Sequence, residues 1–166
     1  MKRLPLLGGL LGMAASSALA ASSASLAVLA LPAVGYSHSS QLSQGTMTLT
    51  ATNDATTGFS VTILASNFAY SGLYDVSPIP AANFSITLAG VPVVTTGQAV
   101  DPTGGPRVPP TNAAGPLNVA RKTIQANAGF GVGTYTQALA VTLSIPGQTR
   151  AGTYTSTLTT TISAAP

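Results

Sequence analysis

Apolar and polar residues alternate with period two along most of the chain. Met47-Leu49-Ala51 alternates with Thr46, Thr48 and Thr50. Phe59-Val61-Ile63 alternates with Ser60 and Thr62, and Phe84-Ile86-Leu88 with Ser85 and Thr87. Tyr135, Gln137, Leu139, Val141, Leu143 and Ile145 make the longest one-face run. Tyr154, Leu158 and Ile162 share a face near the end, each flanked by Thr or Ser. Successive side chains of a strand point to opposite faces, so each run predicts a half-buried strand. Leu26–Pro32 reads as a first strand. Beyond Ser25 no stretch keeps a helical period for more than two turns. The shared parity predicts a core of Phe59, Val61, Ile63, Phe84, Ile86, Leu139, Val141, Leu143, Tyr154, Leu158 and Ile162.

Gly and Pro separate the runs, at Ser71-Gly72, Pro78-Ile79-Pro80 and Pro146-Gly147. Asn53-Asp54-Ala55-Thr56-Thr57-Gly58 reads as a turn between two strands. Thr95 to Pro116 contains Asp101-Pro102-Thr103-Gly104-Gly105-Pro106-Arg107-Val108-Pro109-Pro110, which predicts a long Pro/Gly-rich loop, either a solvent-exposed excursion or a binding loop. Short antiparallel strands with one wet face predict an all-β chain, an Ig-like antiparallel β-sandwich. The wet faces use Thr, Ser and Asn in place of Lys and Glu, which leaves few edge charges to block sheet-to-sheet association.

The amino terminus follows a different logic. Met1-Lys2-Arg3 is positive, Leu4 to Leu19 is apolar, and Ala18-Leu19-Ala20 is a small-x-small site. This pattern predicts a signal peptide over residues 1–20 and one mature domain over 21–166, exported to the cell surface, with no membrane span in the mature chain. The alternative is a retained anchor. Residues 1–20 are expected to stand off the sandwich.

Composition narrows the chemistry. The 166 residues include no Cys and no Glu, three Asp (Asp54, Asp75 and Asp101) and one His, His38. A disulfide, a thiolate metal site and a paired-carboxylate active site are therefore poorly supplied. The formal net charge is +3, but Lys2 and Arg3 fall in the leader. The rest carries Arg107, Arg121, Lys122 and Arg150 against three Asp, a balance of +1. No basic cluster is present to neutralise phosphates, so nucleic acid is not an expected partner.

Short motifs give no catalytic reading. His38 in Tyr36-Ser37-His38-Ser39-Ser40 has no ligand-type neighbour and reads as a surface or strand-end residue. No Gly-x-Ser-x-Gly elbow supports a serine triad. Gly129-Phe130-Gly131-Val132-Gly133 lacks the Lys of a phosphate loop and reads as a turn before the Tyr135 strand. Asn83-Phe84-Ser85 matches a glycosylation acceptor, but Phe84 is placed on the core face. Asp54 alone is too little for a calcium site. No enzyme, cofactor or metal is expected.

What remains is surface chemistry. Tyr36, Tyr70, Tyr74, Tyr135 and Tyr154 supply rings that stack on sugars, while hydroxyls and amides hydrogen-bond to them. Tyr70 and Tyr74 flank Ser71-Gly72-Leu73 in a predicted loop and are the first candidates. Arg121-Lys122, the only adjacent charge pair after the leader, lies where the alternation of Leu117 and Val119 changes phase to Ile124. It reads as a strand's solvent side or as a contact for an acidic wall polymer or glycan.

Two stretches resemble a known family. One is Gly58-Phe59-Ser60-Val61-Thr62-Ile63-Leu64-Ala65-Ser66-Asn67-Phe68 with Ile79-Pro80-Ala81-Ala82-Asn83-Phe84. The other runs from Gly131 through Ile145-Pro146 and Ala151-Gly152-Thr153-Tyr154-Thr155 to Leu158-Thr159, Ile162 and Pro166. Together they resemble the WxL-like form of the WxL domain of bacterial cell-surface proteins, over roughly Leu26 to Pro166. The family's two motifs fall on Phe59-Ser60-Val61 and Thr160-Thr161-Ile162, where neither Trp is kept. The resemblance implies a secreted β-sandwich held non-covalently on the cell wall, with peptidoglycan or other surface proteins as partners. A second resemblance, to pilus and coat subunits of the chaperone–usher type, implies instead a self-assembling structural subunit with an open groove. A closed sandwich favours the first, and a groove missing one strand favours the second.

Overall fold

The computed structural model describes residues 22–164, and the expected signal peptide lies outside them. The described chain is all-β and antiparallel. Its strands are β1 (Ser22–Leu26), β2 (Gln41–Asn53), β3 (Phe59–Ala65), β4 (Ala69–Tyr70), β5 (Phe84–Ala89), β6 (Val93–Gly97), β7 (Gly115–Pro116), β8 (Arg121–Ala126), β9 (Gly133–Ile145), β10 (Tyr154–Thr155) and β11 (Leu158–Ala164). One sheet has the order β1-β2-β9-β5-β7, with β6 also on β9, and a second has the order β11-β3-β8. A short β10-β4 ladder continues from the end of the second sheet.

The two sheets face each other because their apolar parities do. Met47, Leu49 and Ala51 of β2 and Tyr135, Leu139, Val141 and Leu143 of β9 are buried against Phe59, Val61 and Ile63 of β3 and Ile124 of β8. The Phe59 and Tyr135 rings meet across the sandwich, 6.4 Å apart between centroids. Phe68 and Phe84 close the other end edge to face at 5.4 Å. Gln137 shares the inward face of β9, and its Nε2 donates to the Gly90 carbonyl at 2.8 Å and to the Thr123 carbonyl at 2.9 Å. These bonds satisfy the amide nitrogen of a buried side chain, while the Gln137 Oε1 and the neighbouring Thr123 hydroxyl have no partner among the described residues.

The structure departs from simple alternation at bulges. β5 slips register against β9 between Ile86 and Leu88, which turns Leu88 out to solvent. β3 slips against β8 between Val61 and Thr62, and Thr123 and Ile124 are consecutive buried residues. This bulge is the physical form of the phase change after Arg121-Lys122, because an extra residue reverses the facing of all that follow it. Tyr154, Leu158 and Ile162 pack against the core only partly buried, since β10 and β11 form the sandwich's edge. Ser22–Leu26, and not Leu26–Pro32, is the first strand among the described residues.

The 95–116 segment is mostly exposed, but its middle is tied to β8. Arg107 and Gln125 exchange main-chain hydrogen bonds at 2.9 and 3.0 Å, and the Asn127 N–H donates to the Gly104 carbonyl at 2.8 Å. Gly104, Gly105, Pro106 and Pro109 are buried. The segment covers the outer edge of β8 and shields it from other chains. Asp101 holds its first turn. The carboxyl accepts from the Gly104 N–H and from the hydroxyl and N–H of Thr103, and these bonds keep its pKa below the usual carboxylate value. A lowered folded-state pKa stabilises the fold above the unfolded value, near pH 4, and that stabilisation fades as the pH falls through the folded value. The stability gap between the wild type and Asp101→Asn should therefore be present at pH 7 and shrink below about pH 4. An equal gap at pH 7 and pH 3 in denaturant titrations would contradict this account.

Candidate functional site

The sandwich is open along one stretch of edge. A groove of about 860 Å³ lies between residues 26–37 and residues 149–158. Its floor is the end of the core, formed by Phe68, Ile79, Phe84, Leu143 and Ile145. The groove has a local cause on each side. Beyond Leu26 the chain leaves the β2 edge and crosses the inner face of β2 at Gly45. A Cβ at Gly45 would lie 3.1 Å from both Leu29 and Leu31, so the small residue admits both side chains. Ser43 then anchors the segment through its hydroxyl to the Pro32 carbonyl at 2.7 Å. On the opposite side β10 is tied to β4 and cannot close the gap.

The two candidate tyrosines lie beside this groove and belong to a cluster of four residues. The Tyr70 and Tyr154 rings are 5.3 Å apart, and the Arg150 guanidinium sits 3.8 Å above the Tyr74 ring. Tyr154 donates its hydroxyl to the Arg150 carbonyl at 3.1 Å. Burial, then the neighbouring Tyr70, pushes the Tyr154 hydroxyl pKa up, against a smaller opposing effect of Arg150. Gly72 and Gly152 both press on the Tyr70 ring: a Cβ at either would come within 2.3 Å of it. Tyr70 therefore positions the cluster, and Tyr74, 61% exposed, is the ring turned to solvent. Arg150 and Tyr154 line the groove directly. A spacing rule could not have joined Arg150 to Tyr74, because the two meet only when β10 folds onto β4.

The other candidates fall elsewhere. Arg121 donates to the Asn112 side chain at 2.6 Å and to the Pro116 carbonyl at 2.9 Å, so it pins the segment before β8. Neither Arg121 nor Lys122 lines the groove. Tyr135 is fully buried and offers nothing to a glycan. Tyr36 is exposed on the far wall, edge to face with His38 at 5.4 Å. No group of three or more His, Asp or Glu residues suited to a metal ion occurs among the described residues. No helix there is long and apolar enough to cross a membrane.

The positions of the two motif resemblances come together in register. Val61 of β3 lies opposite Ile162 of β11, and Phe59 opposite Ala164. Both point into the fold: Phe59 is buried, and Thr160 is half-buried with its hydroxyl on the Ala24 carbonyl at 3.2 Å. In this chain Phe59, Ser60 and Val61 are buried, while Thr160 and Ile162 are half-buried and Thr161 is exposed.

The fold and its open edge define an antiparallel β-sandwich with an aromatic cluster beside an apolar groove. Comparison with protein families, with curated proteins and with solved structures finds no match to the chain.

Proposed function

We propose that the protein is a secreted, non-catalytic module that associates non-covalently with the bacterial cell wall. The observation that carries this reading is the Tyr70, Tyr74, Arg150 and Tyr154 cluster, which presents an exposed ring and a cation together at the open end of the sandwich. An aromatic face suits a sugar ring, and the guanidinium suits an acidic group of a wall polymer. The leader-like amino terminus and the WxL-like pattern support export and wall association. The scarcity of ionisable groups supports a binding role over a catalytic one.

The self-assembling pilus or coat-type alternative needs an acceptor groove and a free strand to donate. The groove favours it, but every described strand is already paired within its own chain. The wall reading is tested by sedimentation with insoluble cell wall. The Tyr70→Ala/Tyr74→Ala double variant, checked for wild-type melting, should be retained roughly tenfold more weakly than the wild type. Equal retention would remove both residues from the site, and a wild type that stays in the supernatant would overturn the reading.

A further inference from the structure

Tyr70 and Tyr154 stand directly opposite each other in the short β10-β4 ladder. The Ser71 N–H donates to the Thr153 carbonyl at 2.9 Å, which makes Ser71 and Thr153 a hydrogen-bonded pair. By the alternation of an antiparallel ladder, the adjoining Tyr70 and Tyr154 are a non-hydrogen-bonded pair, the arrangement that brings side chains closest. Their ring centroids are 5.3 Å apart at an interplanar angle of 56°, within the range of aromatic rings in contact. Their hydroxyls are held at the same end. Tyr154 donates to the Arg150 carbonyl at 3.1 Å, and Tyr70 to the next carbonyl, that of Ala151, at 3.5 Å.

The two ring carbons beside the Tyr70 hydroxyl are each flanked by a glycine. A Cβ at Gly72 would lie 2.3 Å from Cε1, and one at Gly152 would lie 2.3 Å from Cε2. Gly72 has no left-handed φ, so what it supplies is the missing Cβ. These are the carbons that share the unpaired electron when a phenol is oxidised, and no neighbouring side chain covers them from the glycine positions. Both rings are half-buried, which leaves an edge open to an oxidant and shields them from the rings of other molecules. The ladder itself pairs only two residues of each strand, and the chain has no Cys to fasten it otherwise.

We propose that Tyr70 and Tyr154 form an oxidative cross-linking site, joined by a carbon–carbon bond when hydrogen peroxide oxidises them through a haem peroxidase. Each phenol loses one electron and its hydroxyl proton to give a phenoxyl radical. The two unpaired electrons pair as a bond between one Cε of Tyr70 and one Cε of Tyr154. The hydrogen on each bonded carbon then moves to its oxygen and restores the two phenols. The protein loses two hydrogens in all, and one hydrogen peroxide is reduced to two waters. Coupling within the pair outruns coupling between molecules, because the effective concentration of well-oriented partners reaches roughly 10⁵ M or more, far above that of a micromolar protein. The bond fastens β10 to β4 at the open end of the sandwich. The proposal does not rest on wall binding.

The test is peptide mass mapping of the purified protein after oxidation at micromolar concentration with hydrogen peroxide and a haem peroxidase. The monomer should lose two hydrogens and yield a cross-linked peptide pair carrying Tyr70 and Tyr154, in a yield unchanged by tenfold dilution. Tyr70→Phe and Tyr154→Phe keep the rings but cannot form the radical, and each should abolish this product. Tyr36→Phe should leave it in place. The cross-linked monomer should melt roughly 10 °C above the untreated protein, because a link between positions 84 apart restricts the unfolded chain. Products joined only between molecules, or only through Tyr36 or Tyr74, would overturn the proposal. So would an unchanged protein mass under conditions that couple free tyrosine, or an undiminished yield in either phenylalanine variant. An unchanged melting temperature in the cross-linked monomer would overturn its role in fastening β10 to β4. The wild-type map decides the site even where a variant melts early.

Discussion

Phe59→Ala should lower the unfolding free energy by about 3–5 kcal/mol, the range for a buried phenylalanine whose cavity does not collapse. Phe59 is fully buried and faces Tyr135 from the opposite sheet. It begins β3, which pairs on one side with β11 and on the other with β8, so the neighbouring main chain is held on both sides. Collapse into the space left is correspondingly difficult. At about 2–4 °C per kcal/mol for a domain of this size, melting should fall by roughly 10 °C. Thr161→Ala, on the exposed side of neighbouring β11, should change stability by less than about 0.5 kcal/mol. Chemical denaturation of the two variants in parallel checks both values. A loss below about 1 kcal/mol for Phe59→Ala would mean that this face of β3 is not the core face.

The same residues show how far the sequence could be read. Period two placed Phe59, Val61, Ile63, Phe84, Ile86, Leu139, Val141 and Leu143 on the inner faces, and all eight are buried. Alternation carries this information because burial of one face fixes parity over a whole strand. It loses the information wherever a bulge adds a residue. Leu88 reads as inward from Phe84 and Ile86 but points outward past the β5 slip. Leu26–Pro32 has the composition of a strand, yet its main chain crosses over Gly45 and leaves the ladder. Only the tertiary position of β2 shows that crossing. The 95–116 segment has the Gly and Pro content of an exposed loop. Gly104, Gly105, Pro106 and Pro109 are buried instead, because the outer edge of β8 offered that stretch a place to lie, while Gly97, Pro102, Pro110 and Pro116 stay exposed. Tyr70 and Tyr74 were legible as a pair beside a glycine. Their connection to Arg150 and Tyr154 depends on contacts between positions 76 or more apart in the sequence, which local pattern does not encode.

Glycine placement gives the second large effect, and it interlocks with the first. Gly131, in the turn before β9, has φ +82° and is buried. A Cβ there would lie 2.7 Å from the Phe59 ring and 2.7 Å from the Ala126 side chain. Gly131→Ala therefore combines a left-handed backbone, worth on the order of 1 kcal/mol, with overpacking worth about 1–3 kcal/mol. A loss of about 2–4 kcal/mol is expected in denaturant titrations. The two contributions separate in a double-mutant cycle. Phe59→Ala removes the ring that the new methyl group strikes but leaves the backbone conformation and the Ala126 contact in place. On that background Gly131→Ala should cost about 1–2 kcal/mol less than in the wild type, a coupling typical of residues in direct contact. Strict additivity would show that the cost at position 131 is conformational, with no part arising from the Phe59 ring. A coupling of opposite sign would mean that the turn shifts to accommodate the methyl group only while Phe59 holds β3 in place.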